Sequence, residues 1–440
     1  MLNKLRFNVF WLLDTLKGGY LKKELNTVKE ILELKSFNRI QEKNKPLLKD
    51  LLDTAVKKSK FYESYNGYTS LDDFPVVNKI IVKQNLDTLN MIPATSPDLV
   101  EVSSSGSTGI PVKIYKSKSK IFRNRADLLC FVNAVGYAIG DQLLFVRLWL
   151  KKYRKHPIIL IFQNQKQIDV ENDLSDDNIT TFLAQIQKSK QPKTILGYVS
   201  GLQKICTYLD KVDSPPLDCN ITTIIATSEA LYDSVRDQME YYFNAPVVSR
   251  YSNEENGIIA QQLTNDRAFT INWASFYVEV LDLEEDKPAN PGELGRIVIT
   301  DYFNFATPLI RYDTGDLGKL CNYENDNVPK FEMITGRKKD ILYNTKGELI
   351  SPHVIYAGVS KHQGLSQFQL IQESARDFTF KINADSQFSK EDDLLSYFKK
   401  YLGEDANITL EYVDEIPLLS SGKRRIIINL YDPSEENNLI

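Results

Sequence analysis

Apolar residues change their spacing twice along this chain, and each of the three regimes predicts a different kind of structure. Leu47, Leu48, Leu51, Leu52, Ala55 and Val56 recur at helical spacing, which predicts a mostly helical N-terminal segment over residues 1–90. From about residue 194, short apolar runs alternate with helical stretches. Thr194 to Val199 reads as a strand, then a helix through Leu202 and Tyr208, a strand from Ile221 to Ala226, a helix from Leu231 to Phe243 and a strand from Val247 to Arg250. Such alternation predicts parallel βαβ units, whose ligands gather at the carboxyl ends of the strands. Beyond residue 340 the pattern changes again. Gln367 to Gln372 and Phe378 to Ile382 predict a hairpin, Ser389 with Asp392 a capping box opening a helix to Tyr401, and Ile408 to Val413 a last strand. The expectation is an α/β chain of two domains, 1–335 and a small α+β domain over 336–440.

Composition narrows the class. With 440 residues, 42% hydrophobic and 25% charged, the chain can bury one large core and one smaller one, which excludes a disordered or collagen-like protein. The net charge of -4 comes from acids and bases mixed along the whole length, so nucleic acid is not an expected partner. Cys130, Cys206, Cys219 and Cys321 stand far apart with only three histidines to help them, which predicts reduced, mostly buried thiols and no structural zinc. Lys4 and Arg6 precede the apolar run Phe7 to Leu13, but Asp14 follows at once without a small-residue cleavage site. That run is short for a secretory signal, and no stretch approaches the roughly 20 apolar residues of a membrane span. A cytoplasmic enzyme is the working expectation, with a membrane-surface helix at the start as a second reading.

Polar clusters supply the candidate chemistry. Ser103 to Gly109 reads Ser-Ser-Ser-Gly-Ser-Thr-Gly and is followed by Pro111, a run of small residues whose free backbone N–H groups and hydroxyls suit polyphosphate oxygens. It has neither a P-loop ending nor a dinucleotide turn, and a plain linker has the same composition. Thr227-Ser228-Glu229-Ala230 and Tyr251-Ser252-Asn253-Glu254-Glu255 each follow an expected strand. Tyr312-Asp313-Thr314-Gly315-Asp316 ends in a carboxylate able to accept from two vicinal hydroxyls, or to make an ordinary Asx turn. Gly336-Arg337-Lys338-Lys339-Asp340 lies where the composition shifts, and Ser420-Ser421-Gly422-Lys423 places one lysine near the end.

In order and spacing these pieces resemble the core motifs of the adenylate-forming enzymes. Ser104 to Pro111 is similar to S-S-G-T-T-G-x-P, Arg311 to Asp316 to R-Y-x-T-G-D, Gly336 to Asp340 to G-R-x-D-D, and Pro417 to Lys423 to P-x-x-x-x-G-K. Leu47 to Tyr62 and Phe74-Pro75-Val76-Val77-Asn78-Lys79 resemble the N-terminal part of the phenylacetate-CoA ligase and CapK-like branch, so the resemblance runs from about residue 45 to 425. Departures are Ser252 and Glu254, where the family has Gly and Thr or Ser, and Ile426 in place of an Arg.

The resemblance implies a large adenylate-forming domain with parallel βαβ sheets and a small mobile C-terminal domain. It implies that Ser104, Ser105, Gly106, Ser107, Thr108 and Gly109 hold the β- and γ-phosphates of ATP. Ser228, Glu229 and Ala230 would border the adenine, Tyr251 would stack on it, and Glu255 would hold Mg2+. Asp316 would bind the ribose with Arg337 close by, Lys423 would bridge the carboxylate and α-phosphate, and Lys339 would be the hinge. The implied activity is an ATP-dependent, AMP-forming ligase that joins a carboxylic acid to coenzyme A or another thiol or amine. An amide ligase of capsule or surface-polysaccharide synthesis and a non-catalytic adenylate-binding protein stay open beside it. Neither the acid nor the acceptor is legible, although Phe131 to Gly136 and Arg147 to Trp149 are expected near the acid.

Overall fold

The computed structural model describes residues 2–103, 112–149, 154–170, 172–322, 326–337, 342–350, 355, 358–359, 362, 364–386, 388–417 and 425–431. The chain divides into two compact units, one of residues 1–231 and 235–334, the other of 335–440 with the short stretch 232–234.

The first unit opens with helices: α1 (Leu2–Leu16), α2 (Tyr20–Leu32), α3 (Phe37–Lys58), α4 (Lys79–Gln84) and α5 (Leu86–Leu89). The Ser36 hydroxyl accepts from Arg39 N at the start of α3, and the Asn78 side chain accepts from Ile80 N and Ile81 N at the start of α4, each satisfying first-turn N–H groups. Leu51, Leu52, Ala55 and Val56 of α3 are buried against Tyr62, Phe74, Val77, Leu309, Ile310 and Tyr312. The apolar stripe that predicts the helix is thus the face that fastens the N-terminal segment to the chain around residue 310.

A two-stranded ribbon follows, β1 (Leu99–Ser103) antiparallel to β2 (Lys113–Ser117), with Ser103 opposite Lys113. Next come α6 (Lys118–Ala134), β3 (Gln142–Arg147), α7 (Pro157–Gln163), β4 (Gln165–Asp169), α8 (Asp176–Lys188), β5 (Lys193–Tyr198), α9 (Val199–Lys211), β6 (Ile221–Thr227), α10 (Asp233–Phe243) and β7 (Val247–Asn253). Strands β4, β3, β5, β6 and β7 lie side by side and parallel. Every residue of β5 is buried, as expected of a strand covered on both faces, which is why it reads in sequence as an unbroken run.

The parallel expectation covers only half of this sheet. It continues through β8 (Gly257–Gln262), β9 (Phe269–Ile271), β10 (Phe276–Leu281), β11 (Leu294–Asp301), β12 (Tyr312–Leu320) and β13 (Lys330–Arg337), in the order β10-β11-β12-β13-β9-β8-β7. The pairs β7–β8, β8–β9, β9–β13, β10–β11 and β11–β12 are antiparallel. Several of these strands alternate buried and half-buried residues, and β9 is only three residues long, so no βαβ signal marks them.

The second unit contains β14 (Leu342–Tyr343), β15 (Leu349–Ile350), β16 (Leu365–Gln372), β17 (Asp377–Ala384), α11 (Glu391–Leu402), β18 (Asn407–Tyr412) and β19 (Ile427–Asn429). β16 and β17 form the expected hairpin, and β18 and β19 add to it in parallel, giving the order β18-β17-β16-β19. Leu394, Phe398 and Leu402 of α11 pack on Leu370, Phe378, Phe380 and Ile382. Two details differ from the sequence reading. Lys390 is the residue before α11 and makes no side-chain cap, so the Ser389–Asp392 capping box is not formed. The strand at 407–412 is not the last, because β19 returns beside β16.

Candidate active site

Tyr198 and Thr227, the last residues of β5 and β6, lie in register with Arg250 in the middle of β7. Immediately after β6, Ser228 takes φ 72°, a left-handed conformation that glycine adopts at less cost. That turn lets the Ser228 side chain hydrogen-bond the Tyr198 phenol and lets Glu229 reach back to α9, where its Oε2 accepts from Ser200 N at 2.7 Å. Glu229 therefore closes the first turn of α9, a carboxylate at the positive end of a helix. Ala230 follows on this loop.

The register between β7 and β8 shifts after Tyr251, so the chain bulges before it turns at residues 254–256. The turn separates the two adjacent acids. Glu254 is exposed, whereas Glu255 is 2% exposed and accepts at Oε1 from the Tyr312 hydroxyl at 3.1 Å. The Lys79 ammonium lies 3.5 Å from the same oxygen. Lys116 of β2, itself 3% exposed, donates to the Glu254 carbonyl at 2.6 Å. Burial, with Lys120 nearby, lowers the Lys116 ammonium to about 8.

Strand β12 carries the other half of the site. Thr314 is buried and donates from Oγ1 to the Ile297 carbonyl, while accepting from Asp316 N at 3.1 Å. Gly315 has φ 79°, and its N–H donates to Asp313 Oδ1 at 2.8 Å. The Asx-type contact read as the plain alternative is therefore made, but by Asp313. Asp316 meets the Tyr251 phenol, which donates to its Oδ2 at 2.8 Å and contacts Thr314 Oγ1 at 3.2 Å. Burial and the Asp316 carboxylate together hold that phenol well above its ordinary range.

On its other side β12 is joined by the Phe74–Lys79 segment. Val77 N donates to the Arg311 carbonyl at 3.0 Å and Asp313 N donates to the Val77 carbonyl at 2.9 Å. Arg311, with φ 47°, holds Glu279 at 2.9 Å and the Phe74 carbonyl at 3.2 Å. This docking brings Lys79 to Glu255. Lys79 and Lys116 belong to no chemical motif of the sequence reading; the signal for Lys79 is its place at the end of Phe74–Lys79.

The structure thus brings Tyr251, Glu255 and Asp316 together, with Tyr312 and Thr314 between them. Ser228, Glu229 and Ala230 follow the strand next to β7. Ser104, Ser105, Gly106, Ser107, Thr108, Gly109, Lys339 and Lys423 lie outside the described residues, and Arg337 is described only as the backbone at the end of β13. Of the residues expected near the acid, Phe131, Val132 and Val135 are core. Arg147 at the end of β3 is half-buried, its guanidinium 5.2 Å from the Trp149 ring and 5.9 Å from that of Tyr198.

Among the described residues no group of three or more His, Cys, Asp or Glu side chains could hold a metal. Mg2+ asks for less, since it keeps several waters and takes one or two carboxylates together with substrate phosphates. Glu255 offers a buried carboxylate, and neighbouring Asn256, 0% exposed, has amide atoms without a hydrogen-bond partner among the described residues. Hard oxygen donors of this kind fit a hydrated Mg2+.

Residues 342–430 match the model of the CapK C-terminal domain. Protein CapK of Staphylococcus aureus is 23% identical over 450 residues, spanning 95% of this chain and 96% of CapK. The chain is thus similar to CapK over nearly its whole length. The phenylacetate-coenzyme A ligase of Pseudomonas putida is 25% identical to this CapK-like chain over 186 residues, 42% of each. Among solved structures, 2-hydroxyisobutyryl-CoA ligase in its postadenylation state with R3-HIB-AMP shares the fold, with a TM-score of 0.67, 17% identity and coverage of 90% of this chain and 91% of that one.

Proposed function

We propose that the chain is an ATP-dependent, AMP-forming carboxylate ligase, which activates an acid as its acyl-adenylate and passes the acyl group to coenzyme A or another thiol or amine. The observation that carries this reading is the meeting of Tyr251 with Asp316, beside the buried Glu255, next to the carboxyl ends of β5, β6 and β7. Ligands of such sheets collect there.

A carboxylate is a poor electrophile until one of its oxygens joins a good leaving group. In the first step a carboxylate oxygen attacks the α-phosphorus, the bond to the β-phosphate oxygen breaks, and pyrophosphate leaves. In the second, a thiol or amine attacks the acyl carbon and AMP leaves with the bridging oxygen. On this reading Asp316 takes the ribose hydroxyls with Arg337 nearby, while Tyr251 and the Ser228–Ala230 loop border the adenine. Ser104 to Gly109 take the β- and γ-phosphates. Glu255 holds Mg2+, which when bound neutralises phosphate charge. Lys423 neutralises the charge between carboxylate and α-phosphate, and residues 336–440 act as a small domain turning at Lys339 for the second step. Arg147, near the Trp149 and Tyr198 rings, belongs to the segment expected beside the acid and would meet its carboxylate. The site of action is the cytoplasm, where ATP and coenzyme A are supplied.

The extent of the likeness favours a second choice of acceptor. Similarity to CapK spans nearly the whole chain, whereas that to the phenylacetate-coenzyme A ligase spans 42% of it. An amide ligase serving capsule or surface-polysaccharide synthesis is therefore kept beside the thioester-forming reading. A screen of carboxylic acids by pyrophosphate release tests the first step, and product analysis with coenzyme A against amines then assigns the acceptor. If calorimetry shows AMP binding but no acid releases pyrophosphate, the chain is a non-catalytic adenylate-binding protein and the proposal fails.

A further inference from the structure

Helix α1 turns its leucines outward. None of its residues is buried; Asn3, Arg6, Phe10, Trp11 and Asp14 are half-buried against the body of the protein, while the leucines are exposed. Asn3 donates to Asp141 Oδ1 at 3.1 Å, Arg6 donates to the Ile161 carbonyl at 3.1 Å, and Asp14 accepts from Leu21 N and Lys22 N, capping α2. Phe10 and Trp11 pack on the core. The backbone of Asn3 also sits so close to Gly140 that a Cβ there would lie 2.4 Å from the Asn3 carbonyl oxygen. These contacts fix the rotation of the helix about its axis.

Leu2, Leu5, Val9, Leu12, Leu13 and Leu16 are left exposed, spaced as one stripe about 100° wide. The bond from Arg6 sets α1 beside α7, which also has no buried residue and exposes Ile158, Ile159, Ile161 and Phe162, the last at 75%. One hydrogen bond thus ties together two elements, far apart in sequence, that each expose apolar side chains. Scattered exposed leucines need no explanation, but a contiguous face of this kind marks an interaction site.

The charge around this face selects its occupant. The chain carries a net charge of -4, yet residues 2–23 hold Lys4, Arg6, Lys17, Lys22 and Lys23 against the single acid Asp14, which is engaged in capping. Lys155 precedes α7, with no acid between it and Gln163, while the neighbouring Arg154 is paired with Asp169 at 2.9 Å. A second copy docking through the same face would set these basic rims against each other. An anionic lipid surface would neutralise them while accepting the leucines and isoleucines at the boundary of headgroups and acyl chains. No described helix is long and apolar enough to cross a membrane, so the contact is with the surface.

We propose that the outer faces of α1 and α7 form a docking site for an anionic membrane surface, with Leu5, Leu12, Leu16, Ile161 and Phe162 entering the interface and Lys4 and Lys17 meeting lipid phosphates. The test is co-sedimentation of the purified full chain with vesicles of mixed phosphatidylcholine and phosphatidylglycerol, against phosphatidylcholine alone, at low and high salt. The chain should bind the mixed vesicles, less so at high salt, and Leu12→Glu with Phe162→Glu should lower the partition coefficient on the order of tenfold or more. Lys4→Glu with Lys17→Glu should weaken binding several-fold and flatten its salt dependence. All four positions are exposed, so circular dichroism melts should match the parent. Absence of binding to mixed vesicles at low salt, or binding unchanged by the Leu12/Phe162 pair, overturns the proposal. So does a concentration-dependent dimer in sedimentation velocity that the same pair abolishes, which would make a second copy the occupant. None of these readings depends on pyrophosphate release, so the docking site and the ligase reading fail separately.

Discussion

The Tyr251 phenol donates to Asp316 Oδ2 across 2.8 Å, joining the end of β7 to β12, two strands that are not neighbours in the sheet. Hydrogen bonds to a charged group contribute about 1.5 to 3 kcal/mol when well shielded, and the half-buried setting of this pair places it at the lower end. Tyr251→Phe should therefore lower stability by about 1 to 2 kcal/mol in urea denaturation. Asp316→Ala should weaken ATP and AMP alike, because both carry the ribose. Equal calorimetric affinities for parent and Asp316→Ala would remove the ribose assignment.

Lys120 and Asp301 form an ion pair of 2.7 Å with both side chains fully buried, and the Lys120 ammonium lies 4.8 Å from the Phe276 ring centroid. Lys120→Met leaves the Asp301 charge uncompensated and should cost about 3 to 5 kcal/mol. Adding Asp301→Leu should recover much of that loss. If the double variant is no more stable than Lys120→Met in chemical denaturation, the pair is not the origin of the cost.

The four thiols should separate by access. Cys130, Cys206 and Cys219 are buried and Cys321 is half-buried. Burial pushes Cys130 and Cys219 up to about 11 each, raises Cys206 further, and raises Cys321 as well. Since the thiolate is the reactive form, native protein at mildly alkaline pH should react slowly with iodoacetamide, at Cys321 first, and faster as pH rises. Unfolding in urea should expose all four. Peptide mapping that found Cys206 labelled first in the native protein would contradict the buried placement of α9.

Lys423→Ala should cut acid-dependent ATP–pyrophosphate exchange by on the order of a hundredfold or more while leaving ATP affinity nearly unchanged, as for a charge used in the transition state. Exchange at the parent rate would withdraw Lys423 from the mechanism.

Lys339→Pro tests the proposed hinge. Proline holds φ near -65°, so a residue that must change its backbone angles between two steps can then serve only one. Pyrophosphate release should survive and transfer to the acceptor should fail, followed separately in single turnovers. Loss of both, in a variant whose circular dichroism is native, would count against a hinge at this position.

The sequence alone determined the βαβ order around residues 194–250 and the hairpin and helix of the C-terminal part, because continuous or periodic apolar runs report burial that is local to each element. Motif order was legible for the same reason: Thr314 and Gly315 each answer a local need, a buried hydroxyl and a positive φ. Only the tertiary structure decided that the sheet continues antiparallel through β8 to β13, since β9 pairs with β13 from a remote part of the chain. It also decided between two adjacent acids. Glu255 turns inward because Tyr312 and Lys79, from other elements, receive it, whereas Glu254 meets solvent. The apolar run near the start shows the same limit: its residues predict a helix, but which face it hides depends on Asp141 and the Ile161 carbonyl, partners more than a hundred residues away.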